Sequence, residues 1–299
     1  MTKRDNLIGI LAALIPNIIF GFSFLFSKIA LSVAHPLIIL AVRFTLAFIV
    51  LNLLWLVGFV KLNFRGKNII KILIMAVCQP LCYFILELYG IAATSSAISG
   101  VIISLVPIAV IIISSVFLKE KPTALQTFFA CISVFSVAGI SIISNNGGQN
   151  SIIGIILLLG AVVCAALFNI LSRSEAKKFT PAERTYMMFA VGTVGFNIIA
   201  ITVLKDKFSE ELLKAAKSPE FWGATTYLAI LSSIVAFLMY NWATTKIDAI
   251  RASSFSNVIT VVSVLAGIVI LGEKLSLLQL VFCVLIIIGV YGANKVKKC

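Results

Sequence analysis

Residues Gln79–Lys121 read QPLCYFILELYGIAATSSAISGVIISLVPIAVIIISSVFLKEK. The stretch predicts two apolar helices that meet at an almost charge-free bend. A helix crosses the hydrocarbon core with about 20 apolar residues, and each is of that length. The second helix carries Ser96, Gly100, Ser104 and Pro107 as a stripe of small or polar residues, and it ends in Leu118-Lys119-Glu120-Lys121. The first carries an acid, Glu87, among apolar neighbours. Much of this pattern returns 153 positions on, where Leu271-Gly272-Glu273-Lys274 ends a helix with the stripe Ala249, Ser253, Asn257 and Thr260. A chain that builds one helix pair twice, polar on matching faces, is built around a central axis.

Composition carries the same reading through the chain. Of its 299 residues 61% are hydrophobic and 12% charged, against about 25% charged in a soluble domain. The apolar runs are continuous, not alternating, which predicts an all-α integral membrane protein. Ten spans are expected, at about 7–31, 36–60, 68–92, 97–118, 124–144, 151–173, 181–204, 221–246, 249–271 and 275–294. Thr2-Lys3-Arg4 followed by an apolar run resembles a signal peptide, but that run exceeds the usual length of about 7–15 residues and reads as the first membrane helix. Between 205 and 220 a short interfacial helix is expected, with Phe208, Leu212, Leu213 and Ala216 on its apolar face.

The net charge of +13 is a matter of topology, because the basic residues cluster in short loops and at helix ends. With the N-terminus inside, 17 of the 24 Lys and Arg fall on inner segments and 6 on outer ones, with Arg43 inside a helix. The positive-inside rule then makes both termini cytoplasmic in a multi-pass protein of the cell membrane. No nucleic-acid partner is expected. Trp55, Trp222 and Trp242 sit near helix ends, where interfacial aromatics belong.

The halves are related. At an offset of 145, Leu7-Ile8-Gly9-Ile10-Leu11 meets Ile152-Ile153-Gly154-Ile155-Ile156, and Pro36 meets Pro181. At an offset of 153, Glu120-Lys121 meets Glu273-Lys274, and Gly139 meets Gly292. The eight extra residues fall in the 205–220 stretch. Residues 1–148 and 149–299 thus read as two repeats of five helices. An odd number of crossings turns the second repeat upside down, and inverted repeats mark transporters with a site at the repeat interface.

The chain resembles the drug/metabolite transporter superfamily, in its ten-helix EamA branch. The resemblance is carried by Phe20-Gly21-Phe22-Ser23-Phe24 ahead of Lys28, Pro36 with Arg43-Phe44, Tyr89-Gly90-Ile91-Ala92 with Thr94-Ser95, Pro107, and the ends Leu118-Lys119-Glu120 and Leu271-Gly272-Glu273. Phe20 stands where members often have Trp. The resemblance implies a secondary transporter, with export of amino acids or related metabolites as the commonest role.

Ionisable groups inside membrane segments are costly and mark function by default. Lys28, Arg43 and Glu87 are expected at one depth on the outer side; Arg43 is about 10 Å into its helix at 1.5 Å per residue. They read as a cluster for a carboxylate, as an outer gate closed by Arg43 and Glu87, or as a structural ion pair beside a snorkelling lysine. Gln79, Tyr83 and Glu87 form one stripe at i, i+4 and i+8. Pro80, Pro16 and Pro107 free backbone carbonyls, whereas the second half has Ser233, Ala161 and Thr260 at the matching positions, so the first half is expected to kink. Asn17, Ser104, Asn169, Tyr240 and Asn257 complete the expected substrate-binding set, with Asn241 and Trp242 as further cage members. Ser96-Gly100-Ser104 reads equally as helix packing, and Trp242 as an interfacial anchor. Glu120 and Glu273 read as structural end-caps, and His35 as a loop residue.

No phosphate-binding GxxxxGK[ST] is present, so a substrate, proton or sodium gradient is the expected energy source. Three aspartates near helix ends and one histidine make an intramembrane enzyme a remote reading. Scattered polar residues suit an occluded site better than a channel or scramblase lane. Two cations against one acid favour a carboxylate-bearing substrate; the alternative is a carrier of cationic or aromatic compounds. No cofactor or metal is expected, and the chain is expected to work as a monomer in the lipid bilayer.

Overall fold

In lipid each backbone N–H and C=O must be satisfied within its own segment, and continuous apolar runs do this as helices. The computed structural model describes residues 3–117, 123–145, 151–175, 178–246 and 256–295, and among these no strand occurs. The membrane helices are α1 (Lys3–Leu31), α2 (Pro36–Leu56), α3 (Ile70–Ala76, Val77–Cys82 and Tyr83–Ala92), α4 (Ser96–Ile103 and Val106–Phe117) and α5 (Ala124–Asn145). They continue with α6 (Ile152–Glu175), α7 (Pro181–Leu204), α8 (Pro219–Thr226, Tyr227–Val235 and Ala236–Lys246), α9 (Ser256–Val269) and α10 (Leu277–Lys295). Seven are long and apolar enough to cross a membrane, and three shorter apolar helices, Thr127–Val137, Val258–Val269 and Leu277–Gly292, stand at the fifth, ninth and tenth expected spans.

Packing follows a simple rule. Helix α1 lies against α8 and α9, α6 lies against α3 and α4, α2 pairs with α7, and α5 pairs with α10. Exchanging α1–α5 with α6–α10 returns the same set of pairs. The α5–α10 contact is reciprocal in its residues. A side chain at Gly139 would run into the Phe282 ring, and one at Gly292 into the Phe129 ring. As the chain advances along α5 its partner on α10 recedes, so the two helices are antiparallel. Helices α2 and α7 are antiparallel as well: the Tyr186 hydroxyl donates to Asn52 Oδ1 (3.0 Å), and at the other end Thr193 Oγ1 donates to the Phe44 carbonyl (2.9 Å).

Helix α2 is shorter than the expected 36–60. Gly58 at φ +77° turns the chain out of the helix after Leu56, in a conformation open to glycine. In α3 the backbone leaves helical geometry at Gln79 (φ −143°, ψ 110°), next to Pro80, as the proline predicts. The second half does not stay regular, however. Helix α8 is π-wound over Tyr227–Val235, at the repeat position of the Val77–Cys82 turn and with no proline. Both halves therefore widen at one level, and only the first breaks its φ/ψ there. Helix α4 is interrupted at Ser104-Leu105 ahead of Pro107.

The short helix after α7 runs Lys207–Ala216. Its inward face is Phe208, Leu212, Ala215 and Ala216, with Ala215 fully buried, whereas Leu213 is 62% exposed. Leu213 thus lies off the face on which it is expected. At ~100° per residue it points well over a right angle from Phe208.

Candidate functional site

The candidate site is centred on Arg43, two turns into α2 and only 3% exposed. Its Nε donates to Ser233 Oγ (3.1 Å) and its Nη2 to Ser232 Oγ (3.4 Å), both in the π-wound part of α8. Its guanidinium carbon lies 4.4 Å from the Phe84 ring centroid on α3. Three helices therefore fix the plane and the direction of the cation. On α3, one turn beyond Tyr83, the buried Glu87 accepts a short hydrogen bond from the Tyr83 hydroxyl at Oε1 (2.6 Å).

Arg43 and Glu87 sense one another's charge. They do not form an ion pair: the ion pairs among the described residues are Lys67–Glu183, Lys71–Glu175 and Lys178–Glu175. A buried cation thus stands near a buried acid without touching it. A desolvated charge is costly unless paired and hydrogen-bonded, and here serine hydroxyls and an aromatic face supply part of that compensation.

An aromatic wall surrounds the pair. Phe44 meets Phe84 (5.1 Å between centroids) and Phe189 (5.8 Å); Phe237 meets Phe20 (5.3 Å) and Phe84 (6.5 Å). Tyr240 stands edge-on to Phe20 at 6.5 Å. Gln79 is buried at the backbone break of α3, and Asn17 is buried on α1.

Lys28 belongs to a different structure. Its Nζ donates to the carbonyls of Ile91 (2.9 Å) and Thr94, and the carboxylate it senses is Glu273. Glu273 in turn accepts from the backbone amides of Ser96 (2.7 Å) and Ala97 (3.0 Å). The bend between α3 and α4 is thus clasped by a cation on the carbonyl end of one helix and an anion on the amide end of the next, the arrangement helix dipoles favour. Glu273 is an end-cap, as expected, but it caps α4 and not its own helix. Glu120, its repeat counterpart, lies outside the described residues.

The other expected residues divide. The Ser104 hydroxyl donates back to Val101 in its own helix (2.6 Å), and Gly100 lies against the Ser263 side chain, so this stripe packs α4 on α9. Asn169 Nδ2 donates to the Ala165 carbonyl one turn back (3.0 Å). Asn241 donates to Thr185 Oγ1 on α7 (3.1 Å), and Trp242 is exposed. Asn257 lies in the first turn of α9, and its side chain lies outside the described residues. His35 Nδ1 accepts from the Leu37 amide and caps α2 (3.2 Å). Among the described residues no three His, Cys, Asp or Glu gather as metal ligands.

Ser232, Phe84 and Phe237 were not expected at the site, and Ser233 was read only as the counterpart of Pro80. The one sequence signal for them is a serine pair standing at the Pro80 level of the second half.

The chain matches the EamA-like transporter family over residues 7–142 and again over 152–295. It is 36% identical over 296 residues to the uncharacterized transporter YcxC of Bacillus subtilis, covering 98% of this chain and 95% of that protein. An uncharacterized transporter of Archaeoglobus fulgidus is 26% identical over 91% of this chain and 93% of its own length. A solved crystal structure shares the fold over 98% of this chain and 96% of its own, with a TM-score of 0.67 at 16% identity.

Proposed function

The chain belongs to the EamA-like transporter family, and from that premise we propose that it exports an amino acid or a related carboxylate-bearing metabolite across the cell membrane. The observation that carries this reading is the buried Arg43, oriented by Ser232, Ser233 and Phe84 with no carboxylate in contact among the described residues. A substrate carboxylate binds the guanidinium edge left over, while Glu87, held apart from Arg43, is left to take up and release the coupling proton.

Transport proceeds by alternating access between two inverted repeats, 1–148 and 149–299. The twofold exchange of helix pairs and the reciprocal Gly139–Phe282 and Gly292–Phe129 contacts support that arrangement, as does the double family match. The axis passes through the α2–α7 contact, beside Arg43 on α2. Both termini are cytoplasmic, by the distribution of Lys and Arg. The carrier works as a monomer, which chemical cross-linking in native membranes tests; a dimer as the main trapped species would count against it. Protons or sodium supply the coupling, with Glu87 as the proton site.

A second reading rests on the aromatic wall. Phe20, Phe84, Phe237 and Tyr240 beside Glu87 suit a flat or cationic compound. Counterflow into proteoliposomes separates the two, with pooled labelled amino acids in one set and choline-like cations in the other, and Glu87→Gln beside the wild type. Exchange of amino acids, retained in Glu87→Gln but no longer driven by a pH gradient, supports the first. Exchange of cations alone, lost in the variant, overturns it in favour of the second.

A further inference from the structure

A second arginine is buried on the opposite side of the molecule. Arg184 lies in the first turn of α7 and is 1% exposed. Its Nη1 donates to the carbonyl (3.1 Å) and the hydroxyl (2.6 Å) of Ser172, near the end of α6. Among the described residues its Nε and Nη2 have no hydrogen-bond partner. Those two nitrogens form the side-on edge of the guanidinium, the edge that takes a carboxylate through two parallel hydrogen bonds. Ser172 holds the far corner and so aims this edge.

The neighbouring acids do not fill it. Glu183 accepts from Lys67 Nζ (2.7 Å) and from the amides of Asn63 and Thr180 (2.9 Å each). Glu175 pairs with Lys71 (3.7 Å) and Lys178 (3.9 Å). Helix stability does not explain the arginine either. A cation in the first turn of a helix opposes the macrodipole, and Thr180 with Glu183 already caps this one. A buried guanidinium edge without a partner is costly and calls for an occupant.

We propose that Arg184 is a second carboxylate-binding site, on the cytoplasmic side, where the substrate is held after leaving Arg43 or before reaching it. This rests on the reading that the substrate carries a carboxylate. The free edge selects a planar oxyanion.

The test is thermal unfolding of the purified protein in detergent, in sodium acetate, sodium phosphate and sodium chloride at equal ionic strength. Wild type is compared with Arg184→Gln, Arg184→Lys and Arg43→Gln. Acetate is expected to raise the wild-type Tm above its value in chloride. Arg184→Gln and Arg184→Lys are each expected to lose part of that rise, the lysine because it keeps the charge but not the two-pronged edge. In chloride, Arg184→Gln is expected to be no less stable than the wild type, since an unpaired buried charge has gone. If both Arg184 variants keep the full acetate rise and Arg43→Gln loses it, the inner site is wrong and the carboxylate reading at Arg43 stands. If Arg43→Gln keeps the full rise and the Arg184 variants lose it, the inner site stands and the reading at Arg43 falls. A rise with phosphate but not acetate makes this a phosphate or lipid-headgroup site and overturns the carboxylate assignment, and no rise in any salt overturns it outright.

Discussion

Phe44 and Phe189 stand at the same position of the two halves, 145 residues apart, and their rings meet edge-on with centroids 5.8 Å apart. Under the proposed duplication each residue touches its own counterpart, which happens only beside a twofold axis. Phe44 is fully buried and is further enclosed by Phe84 and Phe196 (4.8 Å), and Gly192 leaves no room for a Cβ between Phe44 and Pro80. Gly192→Ala is therefore expected to lower the detergent Tm and to reduce exchange, because neither an enclosed ring nor a proline yields space; overpacking of this kind costs about 1–3 kcal/mol. An unchanged Tm would mean that the axis is loosely packed.

The Arg43 site predicts a substitution that keeps charge and loses function. Lysine has no Nε to meet Ser233 and no planar group to lie over Phe84. A charge-assisted hydrogen bond is worth about 1.5–3 kcal/mol, so Arg43→Lys is expected to cut counterflow about tenfold or more. Ser233→Ala leaves the cation and the Ser232 contact in place, and a smaller loss is expected. Counterflow at several substrate concentrations checks the order of the two.

The proposed proton site predicts a pH effect without a binding effect. Tyr83 and Glu87 share one short hydrogen bond, one turn apart on the same face of α3. Glu87→Gln removes the titrating group and keeps an acceptor for the Tyr83 hydroxyl. Exchange is expected to persist in this variant and to become flat between acid and neutral pH, whereas the wild type responds. Measuring initial rates across that range with no gradient decides it, and a pH response that survives in the variant moves the proton site elsewhere.

The class of the fold was legible because it rests on bulk quantities: long apolar runs, few charges, and basic residues concentrated in alternate loops. Arg43 and Glu87 were legible for the same reason, since a charge in an apolar helix is conspicuous. Lys28 was conspicuous too, but its partners are the backbone carbonyls of Ile91 and Thr94, over sixty residues away, and carbonyls leave no trace in residue type. Ser232 was hidden because a serine in a membrane helix usually bonds its own helix, as Ser104 does. The π-winding of α8 was hidden because proline was the only cause of irregularity that residue types reveal, and Tyr227–Val235 widens without one.

The clasp of the α3–α4 bend predicts a gate. Lys28 holds the carbonyl end of α3, and Glu273 holds the Ser96 and Ala97 amides of α4, so α1, α3, α4 and the segment after α9 are tied at one end. Glu273→Ala frees two amides, at about 1 kcal/mol for a lost cap. It is expected to open that end of the carrier. In a cysteine-free background, Ala97→Cys, at a position that is fully buried, is expected to resist a membrane-impermeant maleimide applied from outside and to react once Glu273→Ala is added. Equal labelling with and without Glu273→Ala would reduce the clasp to local stability.

The α5–α10 contact gives the duplication its most direct test. Gly139 takes the Phe282 ring and Gly292 takes the Phe129 ring, and each glycine and each phenylalanine sits 153 residues from its counterpart. The two contacts pair the same residue types, with Gly139 at the tip of the Phe282 ring and Gly292 along the side of the Phe129 ring, at the two ends of one antiparallel pair. Gly139→Ala and Gly292→Ala are each expected to lower the Tm, because each drives a methyl group into a phenylalanine ring of the facing helix. Phe282→Ala in the Gly139→Ala background should relieve the clash there and leave the effect of Gly292→Ala untouched, since relief is local to each contact. An unchanged Tm in either variant, or relief that crosses from one contact to the other, would show that the two ends are not matching close contacts and would remove this support for inverted repeats.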